Sequence, residues 1–182
     1  MDLFDAISQR FSHKAAFSRE AVPQEHLRRI AEAGMAAPSG TNAESPEFIL
    51  IYDEHVLAEV GRITRHRPLA TAPAMIAIVS NISDVLPGVT FYIEDYSAAT
   101  ENILLAATAL GYVCGWIDHL LRPPRINDPL CQLLSIPPDR KLMVIIPIGK
   151  PGEESSRRVK KTFEQRCSWN QYGVQRTNAQ GE

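Results

Sequence analysis

Apolar positions fall into short blocks divided by turn-forming residues, and the spacing inside each block assigns its element. Residues 2–9 predict a short helix with Leu3, Ala6 and Ile7 on one face. Residues 10–20, RFSHKAAFSRE, are basic and polar and read as a loop or frayed turn. Val22-Pro23 opens a second helix, because proline suits a first helical position. Leu27, Ile30, Ala31 and Gly34 keep helical spacing, and the helix ends before Pro38. Residues 38–46, PSGTNAESP, are turn-rich, and a strand follows over 47–52 with the continuous run Phe48, Ile49, Leu50, Ile51. Residues 54–63 are helical in pattern, and AMIAIVS at 74–80 predicts a second buried strand introduced by Pro73. The clearest helix spans 94–110, where Ala99, Ile103, Ala106, Ala107 and Leu110 mark an apolar face and Gly111 stops it. A third strand is expected over 112–117, a short helix over 126–134 ended by Ile136-Pro137-Pro138, and a fourth strand over 141–148. Its proline, Pro147, suits an edge or a strand end.

The strands are apolar runs rather than alternating ones, which predicts a sheet covered by helices on both faces. A layered α/β (α+β) architecture follows. The chain has 182 residues, which fits one domain over 1–182 and buries roughly 70% of its unfolded surface without disulfide or metal. Apolar residues at 45% and charged residues at 22% argue against general disorder. The formal net charge of −2 offers no basic excess to neutralise nucleic acid. No apolar run approaches the roughly 18 residues of a membrane span, and the opening MDLFDAISQR does not read as a signal peptide. Cys114, Cys131 and Cys167 are odd in number and widely spaced, so reduced thiols in a cytoplasm are expected. Neither CxxC nor HExxH occurs, and the His residues lack ligand spacing, so no metal is expected. Residues 150–182 are polar and contain RRVKK, then carry Phe163, Cys167, Trp169 and Tyr172. Such a segment packs on something, either another subunit or its own domain.

Three stretches carry candidate chemistry. Arg10-Phe11-Ser12-His13-Lys14 places two cations and a hydroxyl directly after a helix, and Arg and Lys are the usual phosphate contacts. Ala37-Pro38-Ser39-Gly40-Thr41-Asn42 supplies short donors and acceptors, with Gly40 allowing close backbone approach. The run from Asp95 to Ile117 leads an apolar helix into Cys114-Gly115-Trp116. Taken singly, these read as a solvated basic loop, an ordinary connection and a core helix. Cys114 stands in an apolar strand with no His near it in sequence, which suits a buried structural thiol better than a nucleophile. No GxGxxG joins a strand to a helix, which argues against a Rossmann dinucleotide site.

Their combination and order are similar to the nitroreductase family of flavin enzymes. RFSHK resembles that family's first FMN motif, and APSGTNAESPEF resembles its second. TAPAMIAIVS resembles its buried strand, and the run Asp95–Ile117 followed by IPPDRKLMVIIPIGKPGE resembles its long helix, Gly-bearing strand and closing segment, over about residues 3–160. The resemblance implies a mixed central sheet flanked by helices and a homodimer with FMN at the subunit interface. It further implies that the C-terminal segment, 160–182, is exchanged with the partner. It implies hydride transfer from NADH or NADPH through flavin N5 to a small-molecule acceptor by a ping-pong cycle, with the hard chemistry carried by the cofactor. Arg10 then corresponds to a phosphate or ribityl contact, Ser12 to the motif's hydroxyl, and Lys14 to the catalytic cation beside the pyrimidine edge. Pro38, Ser39, Gly40 and Asn42 correspond to the loop that covers the partner's flavin, and Cys114, Gly115 and Trp116 to the strand whose backbone lies near the ring. Among the late cations Arg157, Arg158, Lys160 and Lys161, Arg158 and Lys160 are the expected phosphate contacts.

Three departures stand out. Phe11, within the cofactor motif, replaces a polar or basic residue; Glu44 replaces Gln; Glu47 stands where an aromatic often follows Pro. Phe11 and Glu44 keep open a non-catalytic FMN-binding homodimer. A same-fold flavin enzyme that dehalogenates or fragments a ring is a further alternative, although no lid insertion is found for it.

Overall fold

A computed structural model of the chain describes residues 1–175, so the end of the expected C-terminal extension, 176–182, lies outside the described residues. Four strands form one sheet: β1 (Pro46–Ile51), β2 (Ala74–Asn81), β3 (Val113–Cys114) and β4 (Arg140–Gly149), in the order β1-β2-β4-β3. Seven helices accompany them: α1 (Leu3–Gln9), α2 (Gln24–Met35), α3 (Glu54–Thr64), α4 (Arg67–Thr71), α5 (Tyr92–Ala109), α6 (Pro124–Leu133) and α7 (Phe163–Arg166). The layered α+β arrangement is the expected one, and α4 is an element the residue pattern did not reveal.

Every strand-to-strand ladder is antiparallel, and parallel pairing, which a mixed sheet requires, is confined to a bridge between Ser12 and Cys114. The reason lies in the connections. α3 and the short α4 return the chain to the end where β1 finishes, so that Met75 of β2 starts opposite Ile51. The two sheet faces are both covered. Ala74, Ile76, Ile78, Val144, Ile146 and Ile148 pack under α2 and α5. Met75, Ala77, Val79, Leu142 and Ile145 pack against Val60, Leu69 and Leu130 of α3, α4 and α6. A bulge makes this possible: Ile78 pairs with Val144 and Val79 with Leu142, so Met143 is extra and Leu142 crosses to the second face. α2 buries Leu27, Ile30, Ala31 and Gly34, the four positions picked out by spacing. α5 ends as expected at Gly111, whose φ of 77° suits glycine.

The third strand is shorter than expected. Gly115 and Trp116 leave the ladder, and Ile117 rejoins it through reciprocal hydrogen bonds with Ile145 of 3.2 and 3.0 Å. Pro147 explains the gap. It lies two residues beyond Ile145, so its nitrogen turns to the same side, toward Gly115, with no N–H to donate. The proline therefore sits inside an interior strand, facing an interruption, rather than at an edge.

Residues 10–20 are not a frayed turn. Ser12 pairs with Cys114, Phe17 pairs with Pro151, and His13 and Phe17 are buried with ring centroids 4.8 Å apart. α1 departs in the other direction: of its apolar face only Ala6 is buried, while Leu3 and Ile7 remain 63% and 49% exposed. Near the C-terminus, α7 is closed by a capping box between Thr162 and Gln165, and the Phe163 ring lies tilted against Trp169 with centroids 5.9 Å apart. Phe163 and Tyr172 stay exposed on the described chain.

Candidate functional site

Two distant segments zip together to build a cleft. Ser12 and His13 run beside Cys114, with the His13 N–H donating to the Cys114 carbonyl at 2.9 Å. Further on, the Ser18 N–H donates to the Lys150 carbonyl, and the Gly152 and Glu153 N–H groups both donate to the Ala16 carbonyl. The Lys14 N–H donates to Ser155 Oγ at 3.1 Å. These bonds carry residues 155–160 across the end of α1. Between the two segments opens a cleft of about 500 Å³ lined by Arg10, Phe11, Ser12, Lys14, Arg157, Arg158 and Lys160, with Ile7, Ser8 and Ser156. Five of these residues are cations, and no carboxylate lines the cleft among the described residues. The expected Arg10, Phe11, Ser12, Lys14, Arg158 and Lys160 are thus brought together, and Arg157 joins them. Arg10 lies 3.2 Å from Glu101 of α5, which fixes its Nε, and its side chain is only 20% exposed. The donor set and volume suit a small organic ligand that carries a phosphate.

Cys114, Gly115 and Trp116 stand behind this cleft rather than in its lining. Cys114 is buried, and burial pushes its thiol up to about 12, outweighing the opposing pull of Arg10. It is a buried packing residue and no nucleophile. A Cβ on Gly115 would come within 3.3 Å of the His13 carbonyl oxygen, so glycine lets the two backbones lie close. Trp116 sets its ring against Tyr96 at 6.4 Å. His13, between Ser12 and Lys14, is 1% exposed; its Nε2 lies 3.1 Å from the Ala16 carbonyl oxygen and its Nδ1 has no partner.

The second loop is elsewhere. Pro38 and Ser39 line a separate cavity of about 400 Å³ with Glu44, Glu47, Phe48 and Asp95, while Gly40 and Asn42 lie outside that lining. The loop is tightly bent, with Thr41, Asn42 and Glu44 at φ of 54°, 56° and 48°. Asp95, buried in the first turn of α5, holds both of its ends: it accepts from the Gly40 N–H at 2.8 Å and from Ser45 Oγ at 2.6 Å. A Cβ on Gly40 would fall 2.2 Å from the Phe91 ring, so the approach requires glycine. A single chain therefore presents two separate pockets, the basic cleft and the cavity beside the bent loop. Sequence reasoning missed Asp95 and Glu101; the only signal for either was an acid on an otherwise apolar helix.

Among the described residues no group of three or more His, Cys, Asp or Glu could hold a metal ion, and no helix is long and apolar enough to cross a membrane. The fold is shared with solved structures. An FMN-dependent nitroreductase from Clostridium difficile R20291 superposes with a TM-score of 0.78 at 24% identity, covering 93% of this chain and 99% of the other. A nitroreductase with bound FMN from Bacteroides fragilis NCTC 9343 gives a TM-score of 0.72 at 24% identity, covering 89% and 95%. In sequence, a Methanothermobacter thermautotrophicus protein, provisionally named NADH dehydrogenase/NAD(P)H nitroreductase, is 31% identical over 160 residues, 87% of this chain and 82% of the relative. The nitroreductase family model matches residues 7–82 and 64–150, which take in the basic motif, the strained loop, the whole sheet and the helices that cover it. With motifs, fold and sequence in agreement, the chain belongs to the nitroreductase family of oxidoreductases.

Proposed function

We propose that this protein is an FMN-dependent oxidoreductase that moves a hydride from NADH or NADPH to a small acceptor, a nitroaromatic or quinone, in a ping-pong cycle. It works as a homodimer in the cytoplasm. The observation that carries this reading is the basic cleft, in which Arg10, Ser12 and Lys14 meet Arg157, Arg158 and Lys160 from the far end of the chain. FMN, when bound, supplies a ring that takes the hydride at N5 and returns it to the acceptor. The protein's part is binding, orientation and charge. Arg10, Arg158 and Lys160 neutralise the phosphate, and the Ser12 hydroxyl adds a short donor. The Lys14 ammonium, which lines the cleft, would hold its charge beside the pyrimidine edge and so favour the electron-rich state over the oxidised one; only such a difference changes potential or rate. The Cys114 carbonyl is engaged by the His13 N–H, and with Gly115 and Trp116 this segment would back the ring edge. Pro38, Ser39, Gly40 and Asn42 serve the cleft of the second copy, and the segment from 160 onward packs on that copy, which gives its exposed aromatics a surface to cover.

The test is direct. The purified full chain should be yellow, and anaerobic addition of NADH or NADPH should bleach the visible flavin band. A colourless protein that does not bind added FMN removes the proposal. Bound flavin that neither nicotinamide reduces leaves a flavin-carrying protein without this activity.

A further inference from the structure

Phe11 stands in the cleft where its neighbours are cations, and it contributes no charge of its own. The structure compensates from the opposite end of the chain. The Arg157 guanidinium lies over the Phe11 ring, with its central carbon 4.7 Å from the ring centroid. Arg157 Nη1 donates to the Ser8 carbonyl at 3.3 Å, at the end of α1. The ring holds the guanidinium plane, and the carbonyl takes one of its terminal nitrogens. The rest of the donor fork is left for an anion in the cleft that both residues line. Residues 151–161 have no helix or strand beyond the single pairing at Pro151, so Arg157 has no regular element to fix it.

We propose that Phe11 is a positioning residue: its ring holds Arg157 over the cleft, and Arg157 is an anion-binding cation there that position 11 itself does not supply. The inference rests on the reading of the cleft as a phosphate-ester site. It predicts that Phe11 affects affinity only through Arg157, and only for a ligand that carries the phosphate. A cation held on a ring at an exposed site gains about two- to five-fold in occupancy of its place. Loss of a charge-assisted contact to phosphate costs about tenfold or more.

The experiment is a flavin-fluorescence titration of the full-length apoprotein with FMN and, in parallel, with riboflavin, which lacks the phosphate. Wild type, Phe11→Leu, Phe11→Tyr, Arg157→Ala, the double variant Phe11→Leu/Arg157→Ala and the charge transplant Phe11→Arg/Arg157→Ala are compared. Phe11→Leu should weaken FMN about two- to five-fold and leave riboflavin unchanged. Phe11→Tyr keeps the ring and should bind as wild type, which separates the effect from misfolding. In the Arg157→Ala background Phe11→Leu should have no further effect, and Phe11→Arg should recover FMN affinity. Equal losses for FMN and riboflavin in Phe11→Leu overturn the proposal, because the ring would then be touching the flavin itself. A Phe11→Leu effect that persists without Arg157, or no effect at all, overturns it too. If wild type binds neither flavin, the cofactor reading fails first and this inference with it, a result distinct from wild-type binding with unaltered variants.

Discussion

Replacing Asp95 with Ala isolates the energetics of the strained loop from any question of chemistry. The carboxylate is buried and holds two donors, the Gly40 N–H at 2.8 Å and Ser45 Oγ at 2.6 Å. Hydrogen bonds to a charged group contribute about 1.5–3 kcal/mol each, so the gross loss is about 3–6 kcal/mol. Removing a buried charge returns part of that through relief of desolvation. The loop cannot relax for free, because Thr41, Asn42 and Glu44 hold left-handed backbone, and hydrogen bonds within the loop, such as Glu44 N–H to Ser39 Oγ, do not tie it to α5 as Asp95 does. The expected net destabilisation is about 3 kcal/mol, or about 6–12 °C in melting temperature for a chain of this size. Asp95→Asn retains an acceptor for one donor and should lose about half as much. Urea denaturation of the full chain at fixed protein concentration measures both, since association would otherwise shift the midpoint. A loss under 1 kcal/mol for Asp95→Ala would refute the claim that this carboxylate holds the loop.

Other consequences are equally open to measurement. Arg10→Ala should cost about 1.5–3 kcal/mol of FMN binding, read as flavin retained after dialysis; unchanged retention removes Arg10 from the site. Lys14→Met should lower the flavin midpoint potential and slow reduction by NAD(P)H, with affinity less affected than in Arg10→Ala, and an identical midpoint in a redox titration would mean that Lys14 does not face the ring. The Cys114 thiol is raised from 9.0 to about 12 in the folded chain, so the unfolded chain releases its proton first as pH rises. Its contribution to stability is complete below pH 9, falls at up to about 1.4 kcal/mol per unit above it, and is gone past the folded value; urea midpoints between pH 9 and 10.5 should fall less steeply in Cys114→Ala. Deleting residues 162–182 keeps the cationic lining and removes the exposed aromatics, so analytical ultracentrifugation should show weaker dimerisation; a monodisperse monomer of the intact chain at micromolar concentration would sink the shared-site arrangement.

What could be read from residues alone follows the reach of local physics. Leu27, Ile30, Ala31 and Gly34 declare a buried helical face by spacing, and the runs in β2 and β4 declare a sheet covered on both sides, because burial leaves a periodic mark. The segment 10–20 reads as a loop for the same reason. Its burial of His13 and Phe17 comes from single long-range pairings with Cys114 and Pro151, which leave no period. Pro147 reads as an edge or strand-end residue because its compensating gap at Gly115 lies on another strand. At the site, the motif cations were visible as charges beside a helix end. Glu101 beside Arg10, Asp95 beneath Gly40 and Arg157 over Phe11 are side-chain pairings across long stretches of chain, and no single-sequence pattern encodes them.

The zipping of residues 10–18 onto 150–160 has a consequence for how the molecule comes into being. Synthesis proceeds from the N-terminus and domains fold as the chain emerges. A growing chain that has already made Arg10, Ser12 and Lys14 has one wall of the cleft, with its basic end exposed and no opposite wall to close it. Arg157, Arg158 and Lys160 arrive only after β4, the last strand of the sheet, is complete. The cleft is therefore complete only after the sheet is, and a chain terminated before residue 157 would contain every strand yet lack the second cationic wall.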